Sequence, residues 1–191
     1  MEHKSIQLLI LDRDGVINLD SDQYIRSVDE YLPIESSLKA IAACTRAGIK
    51  VVVATNQSGI GRGYYSLQTL AAMHEKLKQV LQPYGGQIAN IYFCPHHPDD
   101  GCDCRKPKTG MLDQIQKDHP KEFSHAIMVG DSWSDWQVAK AAGVEPYLVK
   151  TGKGERTLAK QGEAAFEGRV FADLSTLVSQ VLGLTYQEER G

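Results

Sequence analysis

Asp12-Arg13-Asp14-Gly15 sets two carboxylates two residues apart. On a loop such a pair can converge on a divalent cation, and one acid can attack while the other handles a proton. The plainer alternative is a solvated Asp-Gly turn. Thr55-Asn56-Gln57-Ser58-Gly59 offers hydroxyls, amides and loop N–H groups that suit a phosphate; alone it reads as well as a helix cap and turn. Arg105-Lys106-Pro107 supplies two cations for phosphoryl oxygens, or simply an exposed basic pair. In Val129-Gly130-Asp131-Ser132, Asp131 can complete a cation's shell, with Asp135 four residues on as its support. The same acid alone would serve a helix N-terminus.

A fifth cluster has metal-ligand spacing. Cys94, Cys102 and Cys104 fall within eleven residues, with His96 and His97 between them. Three thiolates and one imidazole match a closed, tetrahedral structural zinc site, and four protein ligands leave no open position for catalysis. The intervening Pro, Gly and Asp residues cannot build a small apolar core, so metal would order the loop. The loop ends one residue before Arg105-Lys106 and would fix where those cations point.

These clusters need a frame. Ile6-Gln7-Leu8-Leu9-Ile10-Leu11 reads as a buried parallel strand stopped by Asp12. Ile49–Ala54, Ile88–Phe93, Ala126–Val129 and Pro146–Val149 read as further strands, with Val170-Phe171 a short edge strand. Helical spacing falls at 36–47, from the Ser66 cap to Leu81, at 110–118, from Ser132 to Ala142 and at about 173–183. Alternating strands and helices imply a parallel α/β sheet, whose sites lie at the carboxyl ends of the strands. The polar clusters fall there. One domain over 1–184 and a flexible tail over 185–191 are expected. His74, Trp133, Trp136 and Cys44 read as packing or boundary residues.

Composition narrows the class. The chain has 191 residues, 42% hydrophobic and 24% charged, and a net charge of −3, with a mean hydropathy of −0.32. Seven per cent aromatics and an acidic balance speak against a nucleic-acid reader. No apolar run approaches the ~20 residues of a membrane span. A cytoplasmic chain acting as a monomer is the simplest expectation, and in a reducing compartment clustered cysteines point to metal before disulfide.

Taken together and in this order, the four strand-end clusters resemble the motifs of the haloacid dehalogenase (HAD) superfamily of phosphohydrolases, over roughly residues 6–150. The resemblance implies a Rossmann-like sheet between helices, capless, with a β-flap and the zinc loop. It implies Asp12 as the nucleophile that becomes an aspartyl-phosphate and Asp14 as general acid and base. Thr55 and Lys106 would hold the phosphoryl group. Mg²⁺ would be bound by the Asp12 carboxylate, the Asp14 backbone carbonyl and Asp131. Cys94-Pro95-His96-His97-Pro98, Cys102-Asp103-Cys104, Asp12–Asn18 and Thr55–Ile60 narrow the likeness to the superfamily's zinc-loop phosphatases. There Cys94, His96, Cys102 and Cys104 would hold zinc.

Members of that subgroup take a phosphate from heptose 1,7-bisphosphate, toward activated heptose for lipopolysaccharide, or from histidinol phosphate. Asn18-Leu19-Asp20 and Gly59–Gly63 lean toward the sugar bisphosphate. By the same resemblance Arg13, Asp20, Thr55, Asn56, Gln57, Ser58, Arg105 and Lys106 would line the substrate site. Ser132 departs from relatives that carry Lys there. A polynucleotide 3′-phosphatase shares this branch of the fold and meets the same electrostatic objection as a nucleic-acid reader.

Overall fold

The computed structural model describes residues 5–187. It contains β1 (Leu8–Leu11), α1 (Glu35–Arg46), β2 (Lys50–Asn56), α2 (Leu67–Leu81), β3 (Asn90–Cys94) and α3 (Gly110–Asp118). These are followed by β4 (Ala126–Gly130), α4 (Trp133–Ala141), β5 (Glu145–Val149), α5 (Gly154–Gln161), β6 (Val170–Phe171) and α6 (Leu174–Leu182). The six strands form one parallel sheet in the order β3-β2-β1-β4-β5-β6.

The apolar run of β1 needs cover on both faces, and both are covered. Leu9 and Leu11 point to one face, where Leu38 and Ile41 of α1, Met73 and Leu77 of α2 and Leu177 of α6 close over them. Leu8 and Ile10 point to the other, against Leu112 and Ile115 of α3 and Val138 of α4. All four β1 side chains are fully buried. Burying each contributes roughly 1.5–3 kcal/mol, which locks the strand at the sheet centre.

Register then fixes the site. Leu11 lies opposite Val53 of β2 and Val129 of β4. Asp12, Thr55 and Asp131 therefore lie side by side at the carboxyl edge of the sheet, one or two residues beyond those partners. The Asp12 N–H still donates to the Val129 carbonyl at 2.9 Å.

Ser66 and Asp173 cap α2 and α6 by accepting from Thr69 N–H and Thr176 N–H. Ser132 and Asp135 cap α4 reciprocally. The third strand sits two residues later than its apolar pattern suggests: Ile88 packs on the core from a loop, and pairing begins as Ala89 N–H reaches Val51 O at 2.8 Å. α5 has no counterpart in the periodicity, because Gly154 is its only buried residue and no apolar stripe marks it. The flap between Asp14 and Glu35 is held by two isolated bridges, Asp14–Asn18 and Asn18–Pro33, and by turns. Tyr186, in the segment expected as a tail, meets the Tyr84 ring at 5.8 Å, and the Arg46 guanidinium lies 4.7 Å from its centroid; residues 188–191 of that segment lie outside the described residues. Among the described residues no helix is long and apolar enough to cross a membrane.

Candidate active site and metal centres

The strand ends open into a cavity of about 350 Å³. Asp12, Asp14, Asp20, Thr55, Asn56, Gln57, Ser58, Arg105, Lys106 and Asp131 all line it. Lys106 is its electrostatic pivot. Its ammonium is 3.1 Å from Asp12 Oδ1 and 2.6 Å from Asp135 Oδ1, and donates to the Ala54 carbonyl at 2.7 Å. Burial alone would strip its proton, but Asp12 and Asp135 outweigh that and hold it charged. Asn56 fixes the backbone beneath it, accepting from Lys106 N–H at 3.0 Å and donating to Lys106 O at 3.1 Å. Asn56 thus aims Lys106 as well as lining the cavity. The Lys106–Pro107 peptide is cis.

Asp12, Asp131 and Asp135 form a carboxylate cluster whose ligand atoms lie within 4.8 Å of one another. Burial and Asp135 push Asp12 up to about 7; burial, Asp12 and Asp135 push Asp131 up to about 8. Hard oxygen donors crowded into such a cluster are what a divalent cation relieves. Asp135 is spoken for: one oxygen is on Lys106, the other accepts from Ser132 Oγ at 2.6 Å and Ser132 N–H at 3.1 Å. Asp12 and Asp131 are therefore the carboxylates open to the ion. Asp131 sits in a slot with no side chain above it. A Cβ on Gly15 (φ 86°) or Gly152 (φ 59°) would land on its carboxylate, and Lys153 N–H donates to Asp131 Oδ2 at 2.7 Å.

Arg13, expected at the substrate, is elsewhere. Its side chain is fully buried behind the cavity and is absent from the lining. The guanidinium grips Asp14, with Nη2 2.8 Å from Oδ1. Asn18 Nδ2 donates to Asp14 Oδ1 at 2.9 Å, and Gln57 Nε2 to Asp14 Oδ2 at 2.9 Å. Burial would raise Asp14, but Arg13 and then these amides hold it below the usual carboxylate range. Gln57 also donates to Thr55 Oγ1 at 2.9 Å and accepts from the Tyr65 hydroxyl at 2.6 Å. Its amide is committed to aligning Asp14 and Thr55. Sequence reasoning missed Tyr65, which no spacing rule marks; it and Lys153 also line the cavity.

Behind Arg13 lies His74, whose Nε2 is 3.4 Å from Arg13 Nη1. Facing a cation, the ring must be neutral, and burial and Arg13 push it down to about 4. Relative to an unfolded His near 6.5, the neutral form contributes stability above that pH. As pH falls from about 6.5 to 4 the protein is expected to lose about 3 kcal/mol from this group alone. His74→Gln, which still accepts from Arg13 but does not titrate, should flatten the fall in thermal midpoint over that range. An unchanged slope would rule out His74 as its source.

The cysteine cluster also assembles. Cys94 Sγ is 3.5 Å from Cys102 Sγ and 3.0 Å from Cys104 Sγ, and His96 Nδ1 is 3.2 Å from Cys104 Sγ and 3.6 Å from Cys94 Sγ. No disulfide forms. A tetrahedral zinc with Zn–S near 2.3 Å sets ligand separations of roughly 3.5–3.8 Å; Cys94 meets that spacing to Cys102 and to His96, while Cys104 lies closer to Cys94 and His96 than that and would move outward to take the ion. Burial and the Cys94 and Cys102 sulfurs push Cys104 up to about 12, and burial raises Cys94 against the lowering contact of Cys104; a bound cation removes this crowding. His97 is turned away, its ring accepting from Asp99 N–H to cap the turn at 98–100. The knuckle is tied to the strand ends by Gln57 N–H on Cys94 O at 2.8 Å and Gly61 N–H on Pro95 O at 2.9 Å. Cys104→Ser is expected to weaken zinc retention at least roughly 100-fold against a competing chelator. It should also raise the substrate KM, because Arg105 and Lys106 follow directly. Equal retention in the variant would exclude Cys104 as a ligand.

Fold and site define a HAD-like hydrolase, and a family model described as HAD-hydrolase-like matches residues 103–177. The chain is 54% identical over 179 residues to the D-glycero-β-D-manno-heptose-1,7-bisphosphate 7-phosphatase of Pseudomonas aeruginosa, covering 93% of this chain and 99% of that one. The solved D,D-heptose 1,7-bisphosphate phosphatase of Bordetella bronchiseptica, complexed with magnesium and phosphate, is 46% identical. It superposes with a TM-score of 0.87 over 93% of this chain and 98% of its own. The corresponding enzyme of Burkholderia thailandensis is 40% identical, with a TM-score of 0.71 over 92% of this chain and 98% of its own. The chain belongs to the D-glycero-β-D-manno-heptose-1,7-bisphosphate 7-phosphatase family.

Proposed function

We propose that this chain is a Mg²⁺-dependent phosphatase that removes the 7-phosphate of D-glycero-β-D-manno-heptose 1,7-bisphosphate through an aspartyl-phosphate on Asp12. The observation that carries this is the contact of Asp12 with Lys106 at 3.1 Å, in a cavity shared with Thr55 and Asp131. A carboxylate attacking a phosphate dianion meets like charge. Lys106 offsets it, and the Thr55 hydroxyl stands ready for a phosphoryl oxygen. Magnesium, held by the Asp12 and Asp131 carboxylates and the Asp14 carbonyl, supplies further charge neutralisation when bound.

Asp14 moves the protons. With both oxygens held by Arg13, Asn18 and Gln57 it rests ionised, which suits the base that activates water. To protonate the leaving alcohol it must first gain a proton, so one of those donors has to release it as substrate binds. The second phosphate needs its own cation. Arg105 faces the same cavity, and its Nη1 is buried without a protein partner. Asp20 and Lys153, 3.3 Å apart, close the rim. The reading takes the enzyme to act as a monomer in the cytoplasm, supplying activated heptose for lipopolysaccharide.

The test is phosphate release from both anomers of the heptose bisphosphate, beside histidinol phosphate, with and without Mg²⁺. Loss of the C7 phosphate from the β anomer at the highest kcat/KM, and only with the metal, is expected. A preference for histidinol phosphate would overturn the substrate, and turnover unaffected by chelation would overturn the metal requirement.

A further inference from the structure

Two non-glycine residues among those described hold a left-handed backbone, Tyr24 (φ 66°) and Glu167 (φ 54°). Glu167 has a local reason: it ends the turn at 163–166, and its carboxylate pairs with Lys140 and Arg169. Tyr24 likewise closes a turn, its N–H donating to the Ser21 carbonyl at 3.3 Å, but no ion pair anchors its side chain there. An aromatic residue in this region is strained where Gly or Asn would not be, and strain of this sort collects where a side chain is needed in one place.

The Tyr24 side chain lies in the cavity wall. Its ring is 5.1 Å from that of Tyr64, tilted by 58°. The Arg26 guanidinium stacks 4.3 Å over Tyr64, and that of Arg62 lies 5.9 Å from the Tyr24 centroid. These contacts tie the flap to the loop after β2 and hold the Tyr24 ring at the opening. Apart from Tyr24, the cavity's apolar surface comes from Ile25 and Tyr65, and its other lining side chains are acids, amides, hydroxyls and cations.

We propose that Tyr24 is a specificity-determining residue whose ring forms the wall against which the carbon skeleton of the sugar packs, between its two phosphoryl groups. The inference rests on the sugar-bisphosphate reading above. A sugar presents C–H faces that an aromatic ring covers without competing for its hydroxyls. Acids and cations alone would bind any phosphate monoester. The apolar wall selects one with a bulky ring behind the phosphate.

Tyr24→Gly separates this role from a structural one, because glycine relieves the backbone while removing the ring. We expect Tyr24→Gly to melt no lower than the unaltered protein. Its KM for the heptose bisphosphate should rise roughly tenfold, and its preference for that substrate over acetyl phosphate, which lacks a sugar, should fall by a similar factor. Tyr24→Phe, which keeps the ring, should stay within about threefold in both. Unchanged KM and preference in Tyr24→Gly would overturn the assignment. So would a large drop in melting temperature with both substrates losing rate together, which marks a purely structural residue. If the unaltered protein hydrolyses acetyl phosphate but not the sugar bisphosphate, the functional reading itself fails, visibly and before any mutation is made.

Discussion

Asp12→Asn is expected to lower kcat by about four orders of magnitude or more, because the amide can neither attack phosphorus nor carry the phosphoryl group. The fold should survive. Asparagine has the same shape, and removing one charge relaxes the repulsion that burial and Asp135 impose at this position. The thermal midpoint should therefore hold or rise while turnover disappears. Rapid quenching with labelled substrate checks the covalent step: label should stay on the unaltered protein and be absent from the variant. A variant that turned over within tenfold of the parent would exclude Asp12 as the nucleophile. That result would move attention to a water activated by Asp14.

Lys106→Met has the second large effect, and here activity and stability fall together. The ammonium sits between Asp12 and Asp135 with 2% of its side chain exposed. Deleting one partner of a buried ion pair costs about 3–5 kcal/mol, since the remaining charges keep their desolvation cost without compensation. A preorganised cation beside the reacting phosphoryl group is worth roughly 10²–10³ in kcat. Adding Asp135→Asn to Lys106→Met should recover much of the stability, because it removes an orphaned charge, while leaving kcat low. Recovery of both would mean that Lys106 acts on the fold alone. Denaturant midpoints and phosphate release measured on the same samples separate the two.

Much of this site can be read along the chain, for one physical reason. A buried parallel strand must be a continuous apolar run, and where the run stops the chain is at or near the edge of the sheet. Leu8–Leu11 halting at Asp12, Val51–Ala54 halting at Thr55 and Ala126–Val129 halting before Asp131 therefore mark the active edge without any coordinates. The cysteine spacing works similarly, because four ligands within eleven residues can meet only one another.

What stays hidden depends on partners distant in sequence. Arg13 sits between two acids and looks like a substrate cation. Met73 and His74, some sixty residues away on α2, receive its guanidinium and turn it inward. Gln57 looks like a phosphate ligand until Thr55, Asp14 and Tyr65 claim its amide. Asp135 reads as a support for Asp131 until Lys106 and Ser132 claim its oxygens. α5 carries no apolar stripe because only its first residue is buried, yet its amino end delivers Lys153 to Asp131.

The central place of β1 also has a consequence during synthesis. Its partner on one side, β2, ends at Asn56, but its partner on the other, β4, begins only at Ala126. At 5–20 residues per second, roughly 4–14 s pass between the translation of the two. Throughout that interval the most apolar strand of the protein has one flank of its backbone unpaired, a template for any neighbouring extended chain. Nascent chains stalled between these points should therefore be the aggregation-prone species and the natural clients of chaperones, whereas chains that have released β4 have both flanks of β1 paired and reach the first moment at which Asp12 and Asp131 can share an ion.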